Sequence, residues 1–182
     1  MSIWKFLGLD KDELEKKAAG KRASSETETV RKIVSALDRM DPGKARYTAA
    51  FAFILSRVAR ADLNISPEET QEMERLVVEG SGLPEEQAIL VVQMAKTQEV
   101  LFGGTENFLV TREFNDIASR EQKLALLHCL YAVAAADQSI STVEDNEISE
   151  IANELMLSHE DLVAARYPYR EFLAVLKKAK ES

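Results

Sequence analysis

Apolar residues recur along this chain at helical spacing. Val30, Ile33, Val34 and Leu37 form an i, i+3, i+4, i+7 stripe, which predicts a helix over about Glu26 to Met40, ended by Asp41-Pro42-Gly43. Lys44 to Ala61 reads as a strongly apolar helix, AAFAFILSRVARA at its centre, whose small alanines permit close helix approach. Pro67 opens a helix to about Glu79, and Ser81-Gly82 breaks it. Pro84 opens another to about Val100; Gly103-Gly104 predicts a turn, followed by a shorter helix over Asn107 to Ala118. Arg120 to Ala136, with LALLHCLYAVAAA in it, is a second buried helix. Thr142 to Met156 follows, then a short helix from Ser158. The last expected helix runs from about Tyr169 to Lys180, with Phe172, Leu173 and Leu176 inward. No segment shows the alternation of a half-buried strand. The expected fold is all-α, a compact bundle of about seven to nine helices.

The pattern is also periodic over a longer distance. A shift of 75 residues lays Val58 to Glu72 on Val133 to Glu147, with eight of fifteen positions identical. The shared core is Ala-Asp-x-x-Ile-Ser-x-x-Glu: Ala61-Asp62, Ile65-Ser66 and Glu69 in one copy, Ala136-Asp137, Ile140-Ser141 and Glu144 in the other. Each copy reads as apolar helix, acidic turn, acidic amphipathic helix. Two such helical hairpins, at about 47–80 and 122–155, imply an internal pseudo-two-fold repeat within a domain over 26–182. Residues 1–25 form a separate apolar segment and charged linker.

Charge sharpens this picture. The net charge is −8, which argues against a nucleic-acid partner. Asp62 to Glu86 holds eight acidic residues and one basic, Arg75; Asp137 to Asp161 holds eight and none. The acidity is thus concentrated on the repeated turns and the helices that follow them. The lone cysteine, Cys129, excludes an internal disulfide and suits a reducing cytoplasm. No apolar run reaches the roughly 18 residues a membrane span needs. Met1 to Leu9 (MSIWKFLGL) is short and apolar. With Trp4 and Phe6 as anchors, its readings are packing on the chain's own body, docking on a protein partner, or a tether to the inner-membrane surface.

The repeated motif has two chemical readings. In the first, Ser66 and Ser141 are N-caps, and Glu69 and Glu144, three residues on, complete capping boxes. Asp62 and Asp137 then turn back onto loop N–H groups. In the second, Asp62, Asn64 and Glu69, with Asp137, Ser139 and Glu144, are hard oxygen donors at close spacing, of the kind Ca2+ or Mg2+ takes. An EF-hand loop is excluded, because its sixth position has no Gly and its twelfth is Met73 or Ile148. Glu72 and Glu147 extend the acidic face and are candidate partner-binding residues. His128 and Cys129 are sequence neighbours on a helix and point apart, so they form no nucleophile–base pair; Cys129 falls on Ile54 in the repeat, a core position. Zinc-ligand spacing and a phosphate-binding glycine loop are both absent.

The duplicated Ala-Asp-x-x-Ile-Ser-x-x-Glu motif after an alanine-rich helix resembles the TerB tellurite-resistance family and the related domain of DjlA-type co-chaperones, over about Tyr47 to Tyr167. The resemblance implies an all-helical bacterial cytoplasmic fold, an acidic surface proposed to bind metal, and stress-response or membrane-associated partners. It matches Asp62, Glu69, Asp137 and Glu144. Family members usually carry Gly after the Asp, where this chain has Leu63 and Gln138. The expectation is a binding protein and not an enzyme, its acidic turns facing divalent cations or a basic partner. The alternatives are a metal-dependent hydrolase using the same carboxylates and a pure oligomerisation or scaffold domain.

Overall fold

A computed structural model describes residues 41–176 except 64, 82 and 83; for residues 81, 86, 87, 90, 94 and 97–106 it describes the backbone alone. The expected Glu26–Met40 helix and the Met1–Leu9 segment lie outside the described residues. Among those described, the chain forms six α-helices: α1 (Pro42–Ala59), α2 (Pro67–Ser81), α3 (Glu85–Ile117), α4 (Arg120–Ala134), α5 (Thr142–Glu154) and α6 (His159–Arg166). A 3-10 helix, Tyr167–Phe172, follows. The all-α expectation holds. Local chemistry sets the ends of the helices. Asp41 caps α1 by accepting from the Gly43 and Lys44 N–H groups, with Pro42 just inside. Ser119, Ser141 and Ser158 each close a capping box at the start of α4, α5 and α6.

The two apolar helices found in the sequence, α1 and α4, are the centre of the core. Ile54, Leu55 and Val58 of α1 and Leu126, Leu127, Leu130 and Tyr131 of α4 are fully enclosed. The repeat is visible in the packing. α1 packs on α4; α1 touches α5 of the other hairpin, and α4 touches α2 in return. This exchange is what a pseudo-two-fold arrangement of two hairpins produces. Cys129 is partly buried against the core, and burial pushes its thiol up to about 11, so it stays protonated.

Two elements depart from the sequence reading. The turn expected at Gly103-Gly104 is absent, and α3 runs unbroken through both glycines for 33 residues. Each glycine costs a helix interior about 1 kcal/mol relative to Ala. Burial at both ends opposes that cost: Ala88, Val91, Val92 and Ala95 before the pair, and Val110 and Phe114 after it, belong to one core. A break would pull one group out. The helix expected over Tyr169–Lys180 is also not formed at its start. Residues 167–172 are 3-10, and Leu173 leaves the helix to form a parallel bridge with Ile140. Phe172 and Leu173 are only partly buried, and Leu176 is exposed.

Candidate functional site

The two turns share the backbone bonds that lead into them. In the first, the Ala61 N–H donates to the Val58 carbonyl at 2.9 Å and the Leu63 N–H to the Arg60 carbonyl at 2.8 Å. In the second, Ala136 donates to Val133 at 3.0 Å and Gln138 to Ala135 at 2.9 Å. Leu63 and Gln138 both lie in the left-handed region, at φ 70 and 67. The turn therefore keeps the conformation that a glycine would adopt freely, although neither residue is glycine.

The capping boxes close each turn onto its helix. The Ser66 N–H donates to Glu69 Oε2 at 2.7 Å, and the Glu69 N–H donates to Ser66 Oγ at 3.0 Å. Ser141 and Glu144 repeat this at 2.7 and 3.2 Å. The side chains of Glu69 and Glu144 are consequently inside the molecule, only 3% and 4% exposed. Asp62 and Asp137 are exposed. Asp137 Oδ1 accepts from the Ser139 N–H at 2.9 Å, the turn-back contact expected of it, and Ser139 is exposed.

Electrostatics ties the two copies together. Burial raises the Glu69 carboxyl above its ordinary value; the Ser66 bonds oppose this, and the charges of Asp137 and Asp62 add to it. Burial likewise pushes Glu144 up to about 7, opposed by Ser141 and reinforced by Glu69 and Asp62. The buried glutamate of each turn thus feels charge from the other turn, 75 residues away in sequence. Among the described residues no three His, Cys, Asp or Glu side chains stand together in a geometry that could hold a metal ion. Carboxylate donors at Asp62 and Asp137 would need backbone carbonyls or hydroxyls of the turns to complete a coordination shell.

The remaining site candidates are placed as follows. Glu72 is held by Arg75 one turn along α2, with Nη2 to Oε1 at 2.6 Å, and Arg75 also reaches Glu79 at 2.5 Å. Glu147 binds the guanidinium of Arg57 on α1, Nε to Oε1 at 2.9 Å, and Glu154 binds the same group at 2.8 Å. Asn64, Trp4 and Phe6 lie outside the described residues. His128 and His159 are exposed.

Two groups went unread in the sequence. Arg57 is 3% exposed and also donates to Thr111 Oγ1 on α3 at 2.6 Å. Burial works against its charge, and Glu154 and Glu147 outweigh that effect. A signal for it existed: an Arg inside AAFAFILSRVARA needs a buried partner. The second group joins Tyr131 Oη, which donates to Asp145 at 3.0 Å, to Arg166 Nε, which donates to Tyr131 Oη at 3.0 Å; Arg166 also bonds Ser149. It stands beside an open groove of about 360 Å³ lined by Ile140, Val163, Arg170 and Leu173 among others. No periodicity in the sequence brings those residues together.

A duplicated helical hairpin with paired acidic turns, closed into one all-α core, defines a class of small helical domain. The family model described as Tellurite resistance protein TerB matches residues 48–167, and the chain belongs to that family. No curated protein and no solved structure matches it. No helix among the described residues is long and apolar enough to cross a membrane.

Proposed function

We propose that this TerB-family protein is a bacterial, cytoplasmic stress-response binding protein and not an enzyme, and that its two acidic turns together form one face for a divalent cation, Ca2+ or Mg2+. What supports the reading is that the two turns, 75 residues apart in sequence, place Glu69 within reach of the charges of Asp137 and Asp62, and Glu144 within reach of those of Glu69 and Asp62, which add to the larger effect of burial in pushing Glu144 up to about 7. A cation near the face relieves the repulsion between those charges, whereas a purely structural pair of caps gains nothing from bringing the two turns within reach of each other. Asp62 and Asp137, exposed and outside the capping boxes, would make the direct contacts. The same charge supports a second reading, a basic partner surface, with Glu72 and Glu147 at its margin. Residues 1–9, through Trp4 and Phe6, would tether the domain to a protein partner or the inner membrane.

Titration calorimetry with Ca2+, Mg2+, Mn2+ and Zn2+ tests the cation reading. The expected result is heat with at least one hard cation, abolished in Asp62→Asn/Asp137→Asn while the thermal midpoint of the metal-free protein stays put. Absence of heat with all four ions sinks it.

A further inference from the structure

The groove beside Arg166 joins apolar walls to positive charge that the fold leaves unpaired. The bridged residues Ile140 and Leu173 line it, with Val163 of α6 and Val175 and Leu176 beyond the 3-10 helix. Val163, Val175 and Leu176 are 46%, 60% and 45% exposed. Single exposed aliphatic side chains need no explanation, but these three share one concavity, which is the setting of a binding site.

The charge of the groove is opposite in sign to that of the chain. Its charged lining residues are Asp145, Arg166 and Arg170, one acid and two bases, in a chain of net charge −8. Asp145 is already engaged: its Oδ1 accepts from Tyr131 Oη at 3.0 Å and pairs with Arg166 Nε at 3.0 Å. Arg166 also donates from Nη2 to Ser149 Oγ at 3.3 Å, so its guanidinium is held in place. Among the described residues Arg166 Nη1 has no acceptor, and Arg170 has no carboxylate partner. The Arg170 guanidinium lies over the Tyr167 ring instead, 4.3 Å from its centroid. Glu171, the other charge of the 3-10 helix, is exposed and does not line the groove. The groove therefore keeps one uncompensated positive charge. Val163 and Tyr167 are four residues apart and Tyr167 and Arg170 three apart, so aliphatic surface and guanidinium succeed each other along one face.

Size narrows the occupant. About 360 Å³ lies at the lower end of small-molecule sites. It takes up one short ligand chain, not the roughly 800 Å² that each side of a stable protein interface buries. One uncompensated charge matches a monoanion, and a guanidinium fork matches a carboxylate. We propose that this groove binds a single-chain fatty carboxylate, its head group on Arg170 and Arg166 Nη1 and its alkyl chain along Val163, Leu173, Val175 and Leu176. The site uses none of the carboxylates of the acidic turns and is independent of any cation there.

The test titrates decanoate into the isotope-labelled full chain, below micelle formation and with chelator present, so that loss of the cation reading leaves it standing. Decanol and decyltrimethylammonium are the uncharged and cationic controls. The expected result is saturable shifts of the Val163, Val175 and Leu176 methyl resonances with decanoate, with decanol binding about tenfold more weakly or worse and the cation not at all. Arg170→Ala should weaken decanoate about tenfold and leave both decanol binding and the melting temperature unchanged. Val163→Asp, at an exposed position, should abolish decanoate binding at an unchanged melting temperature. Three results overturn the proposal. One is no shift at these methyls up to about 1 mM decanoate, the weak end of specific recognition. Another is decanol binding as tightly as decanoate, or decanoate binding indifferent to Arg170→Ala, which means an apolar surface without a head-group site. The third is decanoate shifts that appear only after residues 1–25 or 177–182 are deleted, which means the groove is covered from within.

Discussion

Leu63, Gln138 and Met156 sit at φ 70, 67 and 58, where a Cβ crowds the backbone and an L-residue is strained by about 1–2 kcal/mol. All three are exposed, so their side chains offset little of that strain by burial. Leu63→Gly and Gln138→Gly are each expected to raise stability by about 0.5–1 kcal/mol, the strain relieved less the entropy glycine adds to the unfolded chain. Urea denaturation checks this; a loss of stability in either variant would show that the left-handed turn is not formed there. Glu144 gives a pH dependence at the same scale. Its folded carboxyl titrates at about 7, above the ordinary value of 4.5, so the folded state holds the proton more tightly than the unfolded one. The stability it contributes is present in full below about pH 4.5 and is lost as pH rises through 7. The loss is on the order of 3 kcal/mol at most. Glu144→Gln keeps an acceptor for the Ser141 N–H and removes the titration. Melts between pH 5 and 8 should therefore be flatter for the variant than for the wild type. The Ser-x-x-Glu spacing announced both capping boxes; that the two glutamates are buried within reach of each other's charge is not encoded in that spacing.

At the scale of elements, α2 and α5 each present two glutamates seven residues apart, Glu72 and Glu79 in one, Glu147 and Glu154 in the other. Each pair holds one arginine, but the arginines come from different places. In the second half it is Arg57, reaching across from α1. In the first half the corresponding α4 position is Ala132, and Arg75 of α2 itself serves. The consequences differ because burial differs. Arg57→Ala leaves two partly buried carboxylates and Thr111 without their partner and is expected to cost about 3 kcal/mol or more. Arg75→Ala removes an exposed intrahelical pair and should cost less than about 0.5 kcal/mol. Comparing the two denaturation midpoints decides the matter; equal losses would mean that the Arg57 cluster is not the interhelical clamp described. The sequence marked most helices correctly because their caps and apolar stripes are local. It failed at Gly103-Gly104, where packing of both ends of α3 overrides a local weakness, and after Tyr167, where Leu173 gives up helical pairing for the Ile140 edge.

For the whole molecule, the proposed cation face couples binding to stability. A cation bound only by the folded state at a hundred times its Kd would raise stability by about 2.7 kcal/mol. The expected observation is a melting temperature that rises with the binding cation and falls on chelation in the wild type, with neither change in Asp62→Asn/Asp137→Asn. A wild-type melting temperature indifferent to all four cations would count against the shared face. By itself the sequence determined the all-α class, the two hairpins, their caps and the localisation of negative charge. Those follow from periodicity, propensity and composition, which act over a few residues or repeat along the chain. Tertiary structure alone decided that the buried glutamates of the two turns come within reach of each other's charge, that Arg57 is clamped between halves, and that Ile140 is bridged to Leu173. Each depends on where α3 and the segment after α6 run in space, and that path is set by packing of residues far apart in sequence, which no local pattern records.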